Sequence, residues 1–105
     1  MNYPKINISK KQIADFCQRW LIREFCLFGS VLREDFHPNS DLDILVAFAP
    51  EADWSLFDHL QMEQELAKLL GRKIDLFSKR AIAENHNWMR RMEILNTAQV
   101  IYATR

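Results

Sequence analysis

Two aspartates, Asp41 and Asp43, stand one residue apart at the start of an apolar stretch. In a β-strand, successive side chains point to opposite faces, so both carboxylates would project from one face while Leu42, Ile44 and Val46 turn to the other. Two like charges so close repel each other unless they share a proton or bind a cation. A hard divalent metal is the natural occupant of such a site. The pattern therefore predicts a strand with an acidic, metal-binding face.

A glycine-serine turn precedes these acids. The apolar run 25–28 is typical of a short buried strand, and it ends at Gly29. Gly29 lets the backbone approach a ligand closely, and Ser30 can cap a helix that begins with residues 31–35. Free N–H groups at a helix start bind phosphate. A phosphate site facing a metal site favours a nucleoside triphosphate as the ligand.

These residues resemble a known family. Gly29-Ser30, a ten-residue gap and Asp41-x-Asp43 resemble the signature of the DNA polymerase β-type nucleotidyltransferase superfamily. The short chain is similar to the minimal nucleotidyltransferase (MNT) branch of that superfamily. The resemblance spans residues 20–103, almost the whole chain.

Three further residues match this resemblance. The third catalytic acid of the family lies on a later strand, after a helix, and Asp75 within the stretch 73–77 fits it. Arg33 follows three residues after Ser30, and Ser40 stands just before the first acid. Many members of the family carry arginine and serine there. The resemblance implies that these polar residues bind the nucleotide and its phosphates.

The resemblance also implies a reaction. Asp41, Asp43 and Asp75 would hold two Mg²⁺ ions, with ATP as the substrate, and Gly29 and Ser30 would bind the leaving pyrophosphate. The MNT branch is known as the antitoxin partner of HEPN-domain ribonuclease toxins. The implied function is therefore an adenylyltransferase antitoxin that transfers AMP to a tyrosine of a cognate HEPN toxin.

Two alternative functions stay open. The chain would act as a purely binding antitoxin if its acids no longer catalyse transfer, although all three acids are present. In the second alternative, the chain transfers a nucleotide to a small molecule or to an RNA end, as other relatives of the superfamily do. The absence of an acceptor-binding domain and the neutral charge count against this second alternative.

Composition favours one compact domain, residues 1–105. The chain has 14 basic and 14 acidic residues and a formal net charge of zero, so strong direct binding of nucleic acid is not expected. Cys17 and Cys26 stand in apolar contexts without metal-site spacing, which is typical of buried, free thiols. With no apolar signal segment or membrane span, we expect a cytoplasmic protein without membrane contact. A homo-oligomer or a heteromeric complex would cover apolar surface that so small a domain exposes.

Periodicity and capping signals predict the order of the elements. The sequence predicts an α/β (α+β) fold, a small mixed β-sheet flanked by helices, as in the polymerase β-like nucleotidyltransferase fold. The predicted elements are a helix over 10–20, strands over 22–28 and 41–46, a helix from Ser55 to Gly71, a strand over 73–77, a helix over 88–95 and a strand over 100–102.

Overall fold

The computed structural model describes residues 9–29, 41–84, 94 and 96–104, together with the backbone of residues 2–3 and 6–7. The predicted helix over 31–35 lies outside these residues, and so does most of the one over 88–95. The described elements, in chain order, are β1 (Asn2–Tyr3), β2 (Ile6–Asn7), α1 (Lys10–Arg19), β3 (Ile22–Phe28), β4 (Leu42–Phe48), α2 (Leu56–Leu70), β5 (Ile74–Ser78), α3 (Lys79–Ala83) and β6 (Gln99–Ala103).

Four of the strands form one mixed sheet with the order β5-β4-β3-β6. β4 and β5 are parallel, and the other two pairs are antiparallel. A parallel pair needs a crossover connection, which α2 provides between β4 and β5. β1 and β2 form a separate antiparallel pair. The predicted small mixed sheet is confirmed.

The two faces of the sheet carry separate apolar clusters. Leu42, Ile44 and Val46 of β4 are buried on the face that α1 and α2 cover. Leu45, between them, is buried on the other face with Cys26 and four more apolar side chains around it, which are Phe28, Phe77, Ile82 and Ile94. Because the side chains of β4 alternate in this way, Asp43 projects from the same face as Leu45. Asp43 therefore lies on the face of the sheet that carries the smaller of the two clusters.

α2 begins and ends where the sequence predicts. The Ser55 hydroxyl accepts a hydrogen bond from the N–H of Asp58, whose carboxylate accepts one from the N–H of Ser55 in return. Gly71 ends the helix in the left-handed region, with φ +69°. None of the helices in the described ranges is both long and apolar enough to cross a membrane.

The apolar side chains of α2 do not all face the core. Met62 and Leu66 are fully buried. Leu56 and Phe57, in the first turn, are 74% and 83% exposed, and Leu60 is 46% exposed. The helix therefore presents three large apolar side chains to solvent beside its buried face.

Both cysteines are buried and free, on opposite faces of the sheet. Cys17 lies in the larger cluster and Cys26 in the smaller one. Burial raises the pKa of the Cys17 thiol to about 12, so this thiol is neutral near neutral pH. The prediction of two buried, unpaired thiols is confirmed.

Candidate functional site

Asp43 and Asp75 lie side by side on the two parallel strands. They are register partners between β4 and β5, and Asp43 also pairs with Phe28 of β3. Register partners in a sheet project from the same face, and here that face also carries Leu45 and Phe77. Both aspartates are the second residue of their strands. The structure therefore places the two carboxylates at the end of the sheet where β4 and β5 begin.

Asp41 reaches the same end of the sheet from the residue before β4. Its side chain is hydrogen-bonded to that of Asp75. The N–H of Leu42, between the two acids of the motif, donates to the carbonyl of Lys73 at 2.9 Å. This backbone bond joins the start of β4 to the residue before β5, and so keeps Asp41 close to Asp75.

Asp75 lies in an environment that disfavours its negative charge. Burial raises the pKa of its carboxyl, the nearby charges of Asp41 and Glu63 raise it further, and the hydrogen bond with Asp41 acts in the same direction. Lys73 opposes the shift. A hydrogen bond between two carboxyls needs a proton, and a hard cation placed there would satisfy the same oxygens. Carboxylates are the ligand type that magnesium prefers, and its binding here stays a prediction from the sequence.

The acids are brought together in pairs. Within residues 9–29, 41–84, 94 and 96–104, the structure shows no group of three or more His, Cys, Asp or Glu side chains that could hold one metal ion. Asp75 is close to Asp41 by a hydrogen bond and to Asp43 by register. The binding of two ions by all three acids stays a prediction.

Gly29 lies directly against the side chain of Asp43. Its φ is +77°, a conformation that L-residues with a side chain rarely adopt. A Cβ at this position would lie 3.2 Å from Cγ and 3.5 Å from Cβ of Asp43, and closer still to Oδ2. Glycine thus leaves the space that the Asp43 carboxylate occupies. The sequence predicted a close approach of the Gly29 backbone to a ligand, and the structure adds its close approach to a predicted metal ligand.

Three of the residues predicted to bind the nucleotide lie outside the described residues. They are Ser30, Arg33 and Ser40. The proposed phosphate site at the start of the following helix lies there as well. Their roles therefore stay predictions from the sequence.

Glu63 on α2 was not predicted from the sequence. Its Oε2 accepts a hydrogen bond from the N–H of Leu76 at 2.9 Å, directly after Asp75. Its charge also acts on the Asp75 carboxyl. The available signal was its position next to Met62, which places it at the border of the buried face of the helix.

Comparison with known proteins identifies the family. The sequence model of the nucleotidyltransferase domain matches residues 9–101, which is most of the chain. The chain belongs to this nucleotidyltransferase family. The family's protein adenylyltransferase MntA of Thermococcus cleftensis is 38% identical over 73 residues, which cover 70% of this chain and 69% of that protein. MJ0128 of Methanocaldococcus jannaschii is 37% identical over 76 residues, 72% of this chain and 76% of that protein.

Solved structures confirm the fold of this nucleotidyltransferase. A chain named as a minimal nucleotidyltransferase superposes with a TM-score of 0.66 at 32% identity, over 85% of each chain. A toxin-antitoxin complex with AMP-PNP contains a chain with a TM-score of 0.70 at 21% identity, over 93% of this chain and 76% of that one. The second likeness shows the fold alone. Together they confirm the predicted polymerase β-like arrangement of a small mixed sheet and helices.

Proposed function

We propose that this nucleotidyltransferase is an antitoxin that transfers AMP from ATP to a tyrosine of a cognate HEPN ribonuclease toxin. One relative, MntA of Thermococcus cleftensis, is named a protein adenylyltransferase. One structural neighbour is a tri-AMPylated HEPN toxin of Shewanella oneidensis in complex with its MNT antitoxin. The complex with AMP-PNP supports ATP as the donor.

The observation that carries the proposal is the pairing of Asp75 with Asp41 through their side chains and with Asp43 by register, with Gly29 against Asp43. These three acids would hold two Mg²⁺ ions, which would neutralise charge on the triphosphate and lower the pKa of the acceptor hydroxyl. The repulsion among the carboxylates favours such cations, because an added positive charge offsets it.

The proposed reaction is an in-line substitution at the α-phosphorus. The acceptor oxygen forms a bond to this phosphorus, the bond to the bridging oxygen of the β-phosphate breaks, and pyrophosphate leaves with that electron pair. Asp75 orients the acceptor hydroxyl and takes its proton. The leaving pyrophosphate is held by the backbone N–H of Gly29, by Ser30 and by Arg33. Ser40 contacts the phosphates beside the first acid.

The test uses the purified chain, the HEPN-type protein encoded next to it, Mg²⁺ and ATP labelled at the α-phosphate. We expect label on the partner, on tyrosine by mass spectrometry, and none when the label is at the γ-phosphate. Asp43→Asn should lower the rate by about a hundredfold or more, because a metal ligand and its charge are lost.

Asp15→Asn is the matched control, because it removes the same charge from an exposed position of α1. This variant should keep the wild-type rate. Neutralisation of the toxin by the Asp43→Asn chain, without any label, would instead support the purely binding antitoxin. Label that appears only on a small molecule or on RNA would overturn the protein acceptor.

A further inference from the structure

Asp75 lies on an edge strand of the sheet that the structure describes. Among the described strands, β5 is the outermost and pairs only with β4. It has five residues, Ile74–Ser78. A short edge strand frays more readily than a central one, because fewer hydrogen bonds must open. A carboxylate that must be held in register with Asp43 therefore needs support from outside the sheet.

Glu63 of α2 gives that support on the side of β5 that faces away from β4. Its Oε2 accepts a hydrogen bond from the N–H of Leu76 at 2.9 Å. On the other side of Asp75, the carbonyl of Lys73 accepts from the N–H of Leu42 at 2.9 Å. Asp75 thus lies between two hydrogen bonds, one that joins the backbone of Lys73 to β4 and one that joins the backbone of Leu76 to α2.

The helix that carries Glu63 is itself well anchored. Met62 and Leu66, on the same side of α2, are fully buried in the larger cluster. The side chain of Glu63 is 25% exposed, so its position is largely set by neighbouring atoms. The bond to Leu76 therefore ties the edge strand to a helix that is packed against the larger cluster.

We infer that Glu63 is a positioning residue for Asp75, which it holds in place through the N–H of Leu76. This inference rests on the proposed function, because Asp75 matters for activity only if it takes part in nucleotidyl transfer. The hydrogen bond needs an acceptor oxygen and no charge. A glutamine at position 63 can therefore make it, whereas an alanine cannot.

The test compares Glu63→Ala with Glu63→Gln. In Glu63→Ala, the Leu76 amide should lose protection from hydrogen exchange, and kcat for AMP transfer should fall about ten- to a hundredfold with the KM for ATP nearly unchanged. Glu63→Gln should restore both the protection of Leu76 and most of kcat. The exchange measurement needs neither metal nor substrate.

Glu65→Ala is the matched control on the same helix. Glu65 accepts hydrogen bonds from Arg19 and from Nε1 of Trp20, and its side chain is 29% exposed. This variant also loses a charge and its hydrogen bonds, but on another side of the helix, where the partners of Glu65 are Arg19 and Trp20 and not β5. It should lower the stability of the fold and leave kcat of the folded fraction near the wild-type value.

Three results would overturn the inference. They are an unchanged kcat in Glu63→Ala, a Glu63→Gln variant that protects Leu76 but is as slow as Glu63→Ala, and an equal loss of kcat in Glu65→Ala. A wild-type chain without any AMP transfer would refute the proposed function instead. In that case, unchanged protection of Leu76 in Glu63→Ala would also refute the bond to Glu63.

Discussion

At the residue scale, the space between the Gly29 backbone and the Asp43 carboxylate is too small for one more carbon atom. The left-handed φ of Gly29 and the nearness of the Asp43 carboxylate are separate reasons for glycine at this position. Gly71 has a similar φ of +69°, but a Cβ there would meet nothing within 4 Å. The two glycines therefore separate the effect of backbone strain from that of the crowded carboxylate.

We expect Gly29→Ala to cost about 1–3 kcal/mol in the free energy of unfolding, and to lower the activity per folded molecule by about tenfold or more. Gly71→Ala should cost about 1–2 kcal/mol and keep that activity, because only the backbone is strained. Urea unfolding and AMP transfer, corrected for the folded fraction, measure both quantities. Equal activity of the two variants would show that the position of Asp43 does not depend on Gly29.

At the scale of elements, the predictable parts are those with local signals. α2 was predictable at both ends because Ser55 and Gly71 provide a cap at each. β3 and β6 followed from short apolar runs. The turn of α3, capped by Ser78, has only five residues and no apolar period to reveal it.

The site was only partly predictable, because it depends on how separate elements pair. A common face for Asp41 and Asp43 was predicted from their spacing alone, and Asp41 lies just before the first residue of β4. The pairing of Asp43 with Asp75 depends on the register between β4 and β5, and a shift of one residue would move Asp75 to the other face. The bond from Leu76 to Glu63 depends in turn on how α2 packs over β5.

The caps of α1 and α2 should differ in strength. In α2, three hydrogen bonds join Ser55 and Asp58, whereas in α1 Ser9 accepts a single one from Gln12, at 3.3 Å. Ser55→Ala should therefore cost about 1 kcal/mol or more in the free energy of unfolding, and Ser9→Ala less. Chemical denaturation measures both losses. A larger loss in Ser9→Ala would contradict this ranking.

At the scale of the whole molecule, the chain has no net charge, but negative charge is concentrated at the site. The formal net charge is zero, with 14 basic and 14 acidic residues. Asp41, Asp43, Glu63 and Asp75 nevertheless gather near the start of β4 and β5. A divalent cation should therefore act on this region and have little effect on the rest of the chain.

We expect Mg²⁺ to stabilise the folded chain, by about 2.7 kcal/mol at a hundred times its Kd, because under the proposed function it would bind the native state alone. Thermal unfolding with Mg²⁺, with EDTA, and with NaCl at equal ionic strength measures this gain. Asp43→Asn should reduce it. A gain from NaCl as large as that from Mg²⁺ would contradict a specific site.

In EDTA, we expect Asp75→Asn to be more stable than wild type near pH 7. Because the pKa of the Asp75 carboxyl is raised in the folded chain, the wild type loses stability as the pH rises through that pKa.

The two buried cysteines have a practical consequence for mapping the surface that a partner protein would contact. Cys17 and Cys26 are the only cysteines in the chain, and both are shielded from solvent. A maleimide reagent should therefore leave the native protein unlabelled. One cysteine introduced at a surface position, such as Gln64, would then be the sole reactive thiol, so a photo-crosslinker attached there would report which part of a bound protein lies next to it.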